Sequence, residues 1–153
     1  MGKVISIQIA PEASAPLASM EQVNAVAGQG LEGDRYFLRK GTYSKKHDPS
    51  REATFIESEA LEALNRDYGL ELNSVESRRN ITTQGVALNH LVGRTFRIGG
   101  AVFKGVRLCE PCGHLEQLTE REVRPGLVHR GGLRAEILES GLVGIGNNIE
   151  LLE

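Results

Sequence analysis

The sequence predicts a mainly β fold, and three observations carry that prediction. First, 18 glycines are spread over 153 residues, cutting the chain into the short apolar runs and frequent turns of a strand-rich domain. Second, several runs alternate apolar and polar residues with period two, as half-buried strands do. Third, only one stretch has the start, apolar stripe and stop of a well-formed helix.

Strands are expected in order over Val4–Ala10, Thr54–Ile56, Asn80–Thr83, Thr95–Ile98, Val102–Leu108, Ala135–Leu138 and Ile149–Leu152. Gly99-Gly100, between Phe96-Arg97-Ile98 and Val102, reads as a tight hairpin turn. The helix is expected to begin with Ser58 as its N-cap, to carry Glu59 and Glu62 near its positive end, and to stop at Gly69. Its apolar residues Ala60, Leu61 and Leu64 suit a packing element laid over a sheet. A shorter helical turn is expected over Ala87–Leu91, stopped by Gly93. Residues Arg39 to Arg51 form a basic loop with almost no apolar content, which suits solvated surface or a cover over an anionic ligand. There is no internal repeat and no low-complexity linker.

At 153 residues the chain has the length of one domain able to bury a core without disulfide staples. Lys plus Arg number 18 and Asp plus Glu 20 with the signs interspersed, so no electrostatic footprint for nucleic acid or an anionic membrane is visible. No run approaches the roughly 20 apolar residues of a membrane span, and the first residues lack an apolar leader core. A soluble cytoplasmic protein is expected.

Chemistry points to Leu108-Cys109-Glu110-Pro111-Cys112-Gly113-His114, which holds both cysteines of the chain. A thiolate is a nucleophile and a soft metal ligand, available in proportion to how far its surroundings lower the thiol pKa below about 8.5. Arg107 and His114 act in that direction. A structural zinc site would need a second closely spaced ligand pair, and His129 is too distant to give the usual spacing. A thioredoxin-type redox pair would need a βαβ unit around Cys109, which the pattern does not offer. Following Val106 and Leu108 on a strand, Cys109 is expected in the core as a small hydrophobe, leaving Cys112 exposed.

Three Gly/Arg clusters accompany the thiol. Gly28-Gln29-Gly30-Leu31-Glu32-Gly33-Asp34-Arg35 fails as a dinucleotide fingerprint for want of its strand and helix. It suits either a loop whose amides approach an anion, with Arg35 adding a planar fork, or a plain turn capped by Asp34. Arg78-Arg79-Asn80 enters a strand, so the two guanidinium groups are expected on opposite faces, one of them inward and in need of an anionic partner. His129-Arg130-Gly131-Gly132-Leu133-Arg134 repeats that chemistry. Together they outline a pocket for an anionic ligand that bears sulfur or metal.

These residues resemble the MOSC domain, the C-terminal module of molybdenum cofactor sulfurases, also found as stand-alone bacterial proteins. The likeness runs through Gly30 to Tyr36, Arg78-Arg79-Asn80-Ile81 with Gly85, Leu88, Leu91-Val92-Gly93 and Ile98-Gly99, Glu110-Pro111-Cys112, and Gly131 to Leu138. It spans nearly the whole chain, implying a single MOSC domain over 1–153. It also implies a MOSC-type β-barrel with a few short covering helices, and the pterin-based molybdenum cofactor (molybdopterin) as ligand. In the family a cysteine after proline carries sulfur as a persulfide or ligates molybdenum; here that is Cys112. Arg78, Arg79 and Asn80 fall on the family's Arg/Asn strand at the cofactor, and Arg35, His114, Arg130 and Arg134 complete the expected cofactor-binding set.

The chain lacks the pyridoxal-phosphate-dependent desulfurase domain of full sulfurases, so no pyridoxal phosphate is expected and any activity needs a partner. Three readings follow. Cys112 could accept a persulfide from a cysteine desulfurase and pass it to the cofactor. It could ligate molybdenum in an enzyme reducing N-hydroxylated compounds, with an external electron-transfer partner. The domain could also bind the cofactor without turnover.

Overall fold

The computed structural model describes residues 2–10, 17–34, 52–69, 77–109 and 131–152. Eleven strands and one α-helix are found among them: β1 (Lys3–Ile9), β2 (Ala18–Met20), β3 (Gln22–Val26), β4 (Gly30–Leu31), β5 (Ala53–Glu57), α1 (Ser58–Tyr68), β6 (Ile81–Gln84), β7 (Thr95–Ile98), β8 (Ala101–Leu108), β9 (Leu133–Glu139), β10 (Gly141–Gly144) and β11 (Ile149–Leu152). The mainly β expectation is met.

Eight strands form one sheet in the order β11-β7-β8-β9-β5-β6-β1-β2, and β10-β3-β4 form a second. Only open sheets are found among the described residues, so the expected closed barrel is not established. The long sheet nevertheless curls until the β11 end reaches the start of β1, the strand next to its other end. The outer edge of β1 is divided between β2, paired over Ile7–Ile9, and one isolated bridge from Lys3 to Asn148. Ile149 N donates to Gly2 O at 2.8 Å and Val4 N to Asn147 O at 2.9 Å beside that bridge. Because β2 takes the rest of the edge, β11 meets β1 only at this corner.

The core fills the inside of the curl. Phe55, Phe96 and Phe103 are fully buried and meet pairwise at ring centroid distances of 5.4–5.7 Å, with Phe55 edge-on to the other two. That geometry adds quadrupolar attraction to a large buried area. Ile7 of β1, Ile81 of β6, Ile98 of β7 and both Leu133 and Ile137 of β9 belong to the same cluster.

The sheet contains one parallel pair, β5 beside β6, joined through α1. This βαβ crossover explains why β5 is buried along almost its whole length: Ala53 and Phe55 enter the core cluster, while Ile56 alternates to the face that α1 covers. Helix α1 buries the stripe Ala60, Leu61, Ala63 and Leu64, and ends at Gly69 with φ +67°, as expected. Ser58 is not its N-cap. Strand β5 runs straight into the helix, so the cap position falls on Glu57 and Ser58 is already helical, its hydroxyl donating to Glu59 Oε1. The helix start instead anchors the next loop: Gly85 N donates to Glu59 Oε2 at 2.8 Å and Leu88 N to Glu57 Oε2 at 3.2 Å. The expected helical turn is a 3-10 turn over Leu88–Leu91.

Hairpin β7–β8 turns at Gly99-Gly100 as expected, with Ile98 opposite Ala101. Strands β2, β3, β4 and β10 were not foreseen. Strand β10 hides because it reads Gly-Leu-Val-Gly; a Cβ on Gly141 would collide with the Gly100 backbone, so close packing imposes a residue that ordinarily weakens strands.

Candidate functional site

The segment Ser77-Arg78-Arg79-Asn80 is a turn that feeds β6, rather than the start of the strand itself. Arg78 has φ +63°, a left-handed conformation that costs an L-residue about 1–2 kcal/mol. The reversal at Arg78 turns the next two residues inward, and Arg79 and Asn80 are 7% and 0% exposed.

Asn80 ties three strands together. Its Oδ1 accepts from Thr54 N at 3.1 Å and from the Thr54 hydroxyl at 3.0 Å, and its Nδ2 donates to Gln8 O at 3.2 Å. Both ends of the amide are thus spent on the protein. Gln8, itself fully buried, donates from Nε2 to Arg79 O at 2.9 Å. Register extends the row across the sheet, since Thr54 lies opposite Arg134 on β9 and Arg134 opposite Arg107 on β8. Arg134 is half-buried there.

Arg79 turns its guanidinium onto backbone carbonyls. Nε donates to Gly131 O at 2.7 Å, Nη2 to Cys109 O at 3.2 Å and Nη1 to Ser77 O at 3.4 Å. Cys109 is the last described residue of its segment and Gly131 the first of the next. A second bond, Cys109 N to Gly132 O at 2.7 Å, lies beside them. Gly132 has φ +115°, and a Cβ there would collide with Phe55 O, so the return strand passes against β5 with no room for a side chain. The chain therefore leaves at Cys109 and returns at Gly131 through one narrow neck. Cys109 is a free thiol, 1% exposed, the core position expected for it.

Asp34 closes the Gly-rich loop. Its Oδ1 accepts from Ala10 N at 3.0 Å and its own N–H bonds Leu31 O at 3.0 Å, fixing the loop to the end of β1. Arg35, Cys112, His114 and Arg130 lie outside the described residues, as do residues 39–51. Of the expected ligand set, the described residues bring Arg79, Asn80 and Arg134 into one neighbourhood at the base of the segment that carries Cys112, with Arg78 at its margin. Ser77, Gln8 and Thr54, which hold that neighbourhood together, were not foreseen. Gln8 alternates in phase with Ser6 and gave no sign of being internal. A separate surface hollow between Gln22, Gly99, Leu142 and Asn147 contains none of the expected site residues.

The MOSC domain family model matches residues 42–150. The chain belongs to the MOSC domain family. This MOSC domain shares its fold with the YuaD protein of Bacillus subtilis at TM-score 0.82 and 15% identity, over 99% of this chain and 96% of that one. YiiM from Geobacillus stearothermophilus superposes at TM-score 0.77 and 15% identity, over 100% of this chain and 76% of that one. YiiM from Escherichia coli gives 0.69 and 17%, over 99% and 70%. No curated protein sequence matches significantly. No described helix is long and apolar enough to cross a membrane.

Among the described residues there is no group of three or more His, Cys, Asp or Glu side chains arranged to hold an ion. The site neighbourhood brings together the buried Arg79, the half-buried Arg134 and backbone groups at the neck.

Proposed function

We propose that this MOSC domain binds the molybdenum cofactor and that Cys112 acts as a sulfur carrier for it. The observation that supports the reading is the arginine-rich row at the neck from which the Cys112 segment springs, in a chain of this family. Arg78 and Arg134, with Arg35, Arg130 and His114, would contact the phosphate and pterin edges, while Asn80 holds β5, β6 and β1 in register beneath them. When bound, the cofactor supplies a molybdenum centre capable of two-electron redox and sulfido chemistry. In the same reading the curled eight-stranded sheet is the wall of a MOSC-type β-barrel.

Sulfur would arrive by thiol–persulfide exchange. The Cys112 thiolate attacks the outer sulfur of a persulfide on a cysteine desulfurase; the new S–S bond forms as the donor's S–S bond breaks, and the donor cysteine leaves as thiolate. No oxidant is consumed. The reading places the protein in the cytoplasm, where thiols stay reduced.

The test is elemental and mass analysis of the protein made in a host that synthesises the cofactor, wild type against Cys112→Ser. One additional labile sulfur on Cys112, absent from the variant, is expected. Stoichiometric molybdenum lost with Cys112 and no labile sulfur would instead favour the molybdoenzyme reducing N-hydroxylated compounds. Cofactor retained by both proteins, with no sulfur on Cys112, would favour a binding module.

A further inference from the structure

We propose that Arg79 is a positioning residue: its guanidinium clamps Cys109 and Gly131, which flank residues 110–130, together through their backbone carbonyls, and its partner is the chain rather than a ligand. Arg79 is 93% buried, being 7% exposed. A buried cation requires compensation, and among the described residues that compensation consists of the carbonyls of Gly131, Cys109 and Ser77.

The planar fork is what allows this. Nε and Nη2 diverge from one carbon at fixed angles, so one side chain reaches Gly131 O and Cys109 O on opposite sides of the neck. A lysine ammonium in that space is a single point and cannot span both in the same geometry. The neck is held from two further directions, by the Cys109 N–H on Gly132 O and by β5, against which Gly132 is pressed. Arg79 itself is fixed by Gln8 at its carbonyl and by the Ser77 hydroxyl, which accepts from its N–H at 3.2 Å. The clamp thus links β1, the Ser77–Asn80 turn, and the ends of β8 and β9. The clamp does not rest on the sulfur-carrier reading.

The experiment compares the full-length wild type with Arg79→Lys and Arg79→Gln, without cofactor. Hydrogen exchange at the Cys109 amide is the direct readout, with the amides of Phe96 and Phe103 as internal controls. The clamp predicts about tenfold or faster exchange at Cys109 in both variants, with the controls unchanged and the lysine variant no better than glutamine. Unchanged Cys109 exchange in Arg79→Lys would overturn the proposal. So would inorganic phosphate bound by wild type, retained by the lysine variant and lost in the glutamine variant, since Arg79 would then be a ligand contact. If Arg79→Gln does not fold, the lysine variant and the wild-type Arg79 Nε–H signal decide: protection from solvent is expected, and exchange as fast as that of an exposed arginine overturns the clamp. Failure of wild type to load sulfur or molybdenum would remove the carrier reading and leave the Cys109 contrast standing.

Discussion

Thr54 and Asn80 satisfy each other's polar groups almost reciprocally: the Asn80 side-chain carbonyl accepts from both the Thr54 N–H and hydroxyl, while the Asn80 N–H reaches the Thr54 hydroxyl at 3.0 Å and carbonyl at 3.1 Å. Both residues are buried. Asn80→Ala strips Thr54 of its acceptor inside the protein and should lower the unfolding free energy by about 3 kcal/mol, on the cost of stranded buried donors. Asn80→Asp can still accept from Thr54 but cannot donate to Gln8 O, and should recover only part of that. Denaturant titration at fixed pH measures both.

Gly132 is the next test. Alanine there meets an unfavourable φ and the Phe55 carbonyl at once. The variant should lose at least about 2 kcal/mol, or the neck should reopen and Cys109 become reactive. Tm and thiol labelling read these two outcomes separately.

The cysteines should behave very differently. Cys109 is packed at the end of β8 with 1% exposure, so native protein should label at Cys112 at least about tenfold faster than at Cys109. Cys109→Ala should leave native labelling and sulfur loading intact, whereas Cys112→Ser should abolish both. Faster modification of Cys109 in the folded state would reverse these assignments.

Phe55 separates stability from function. It is edge-on to both Phe96 and Phe103, and Phe55→Ala should cost about 3–5 kcal/mol through lost burial and the cavity left behind. At temperatures where the variant remains folded, Cys112 labelling should be unchanged.

Much of the fold was legible because it rests on local pattern. Strands β7, β8, β9 and β11 and the Gly99-Gly100 turn follow from alternation and glycine placement, and Gly69 marked the end of α1. The parallel β5–β6 pair was not legible: the strand prediction stopped at Ile56, and nothing local says that Glu57 hands over to a helix that returns beside its own strand. Strand β10 was hidden by glycines required by a neighbour far away in sequence. The site was legible as residue types and illegible as roles. Arg79 and Asn80 were marked by charge and polarity beside a strand, but whether a buried polar group meets a ligand or its own chain depends on partners such as Gly131 and Thr54, brought close only by tertiary structure. The left-handed Arg78 turn, which aims both residues inward, left no trace that sequence reasoning could read, since arginine is not a residue that favours it.

The corner where Gly2 bonds Ile149 and Lys3 bridges Asn148 bears on how the protein assembles. Those contacts join residues separated by nearly the entire chain, and the β5–β9 and β1–β6 ladders also close long loops. The entropy of closing such loops is lost before the contacts repay it, which places this topology among slow folders on the millisecond-to-second scale. The hairpin β7–β8 and the β5–α1 unit can form early from local sequence. The seam between β1 and β11 has to wait for both ends, which makes it the natural last step of folding and, in reverse, the first place for the sheet to come apart.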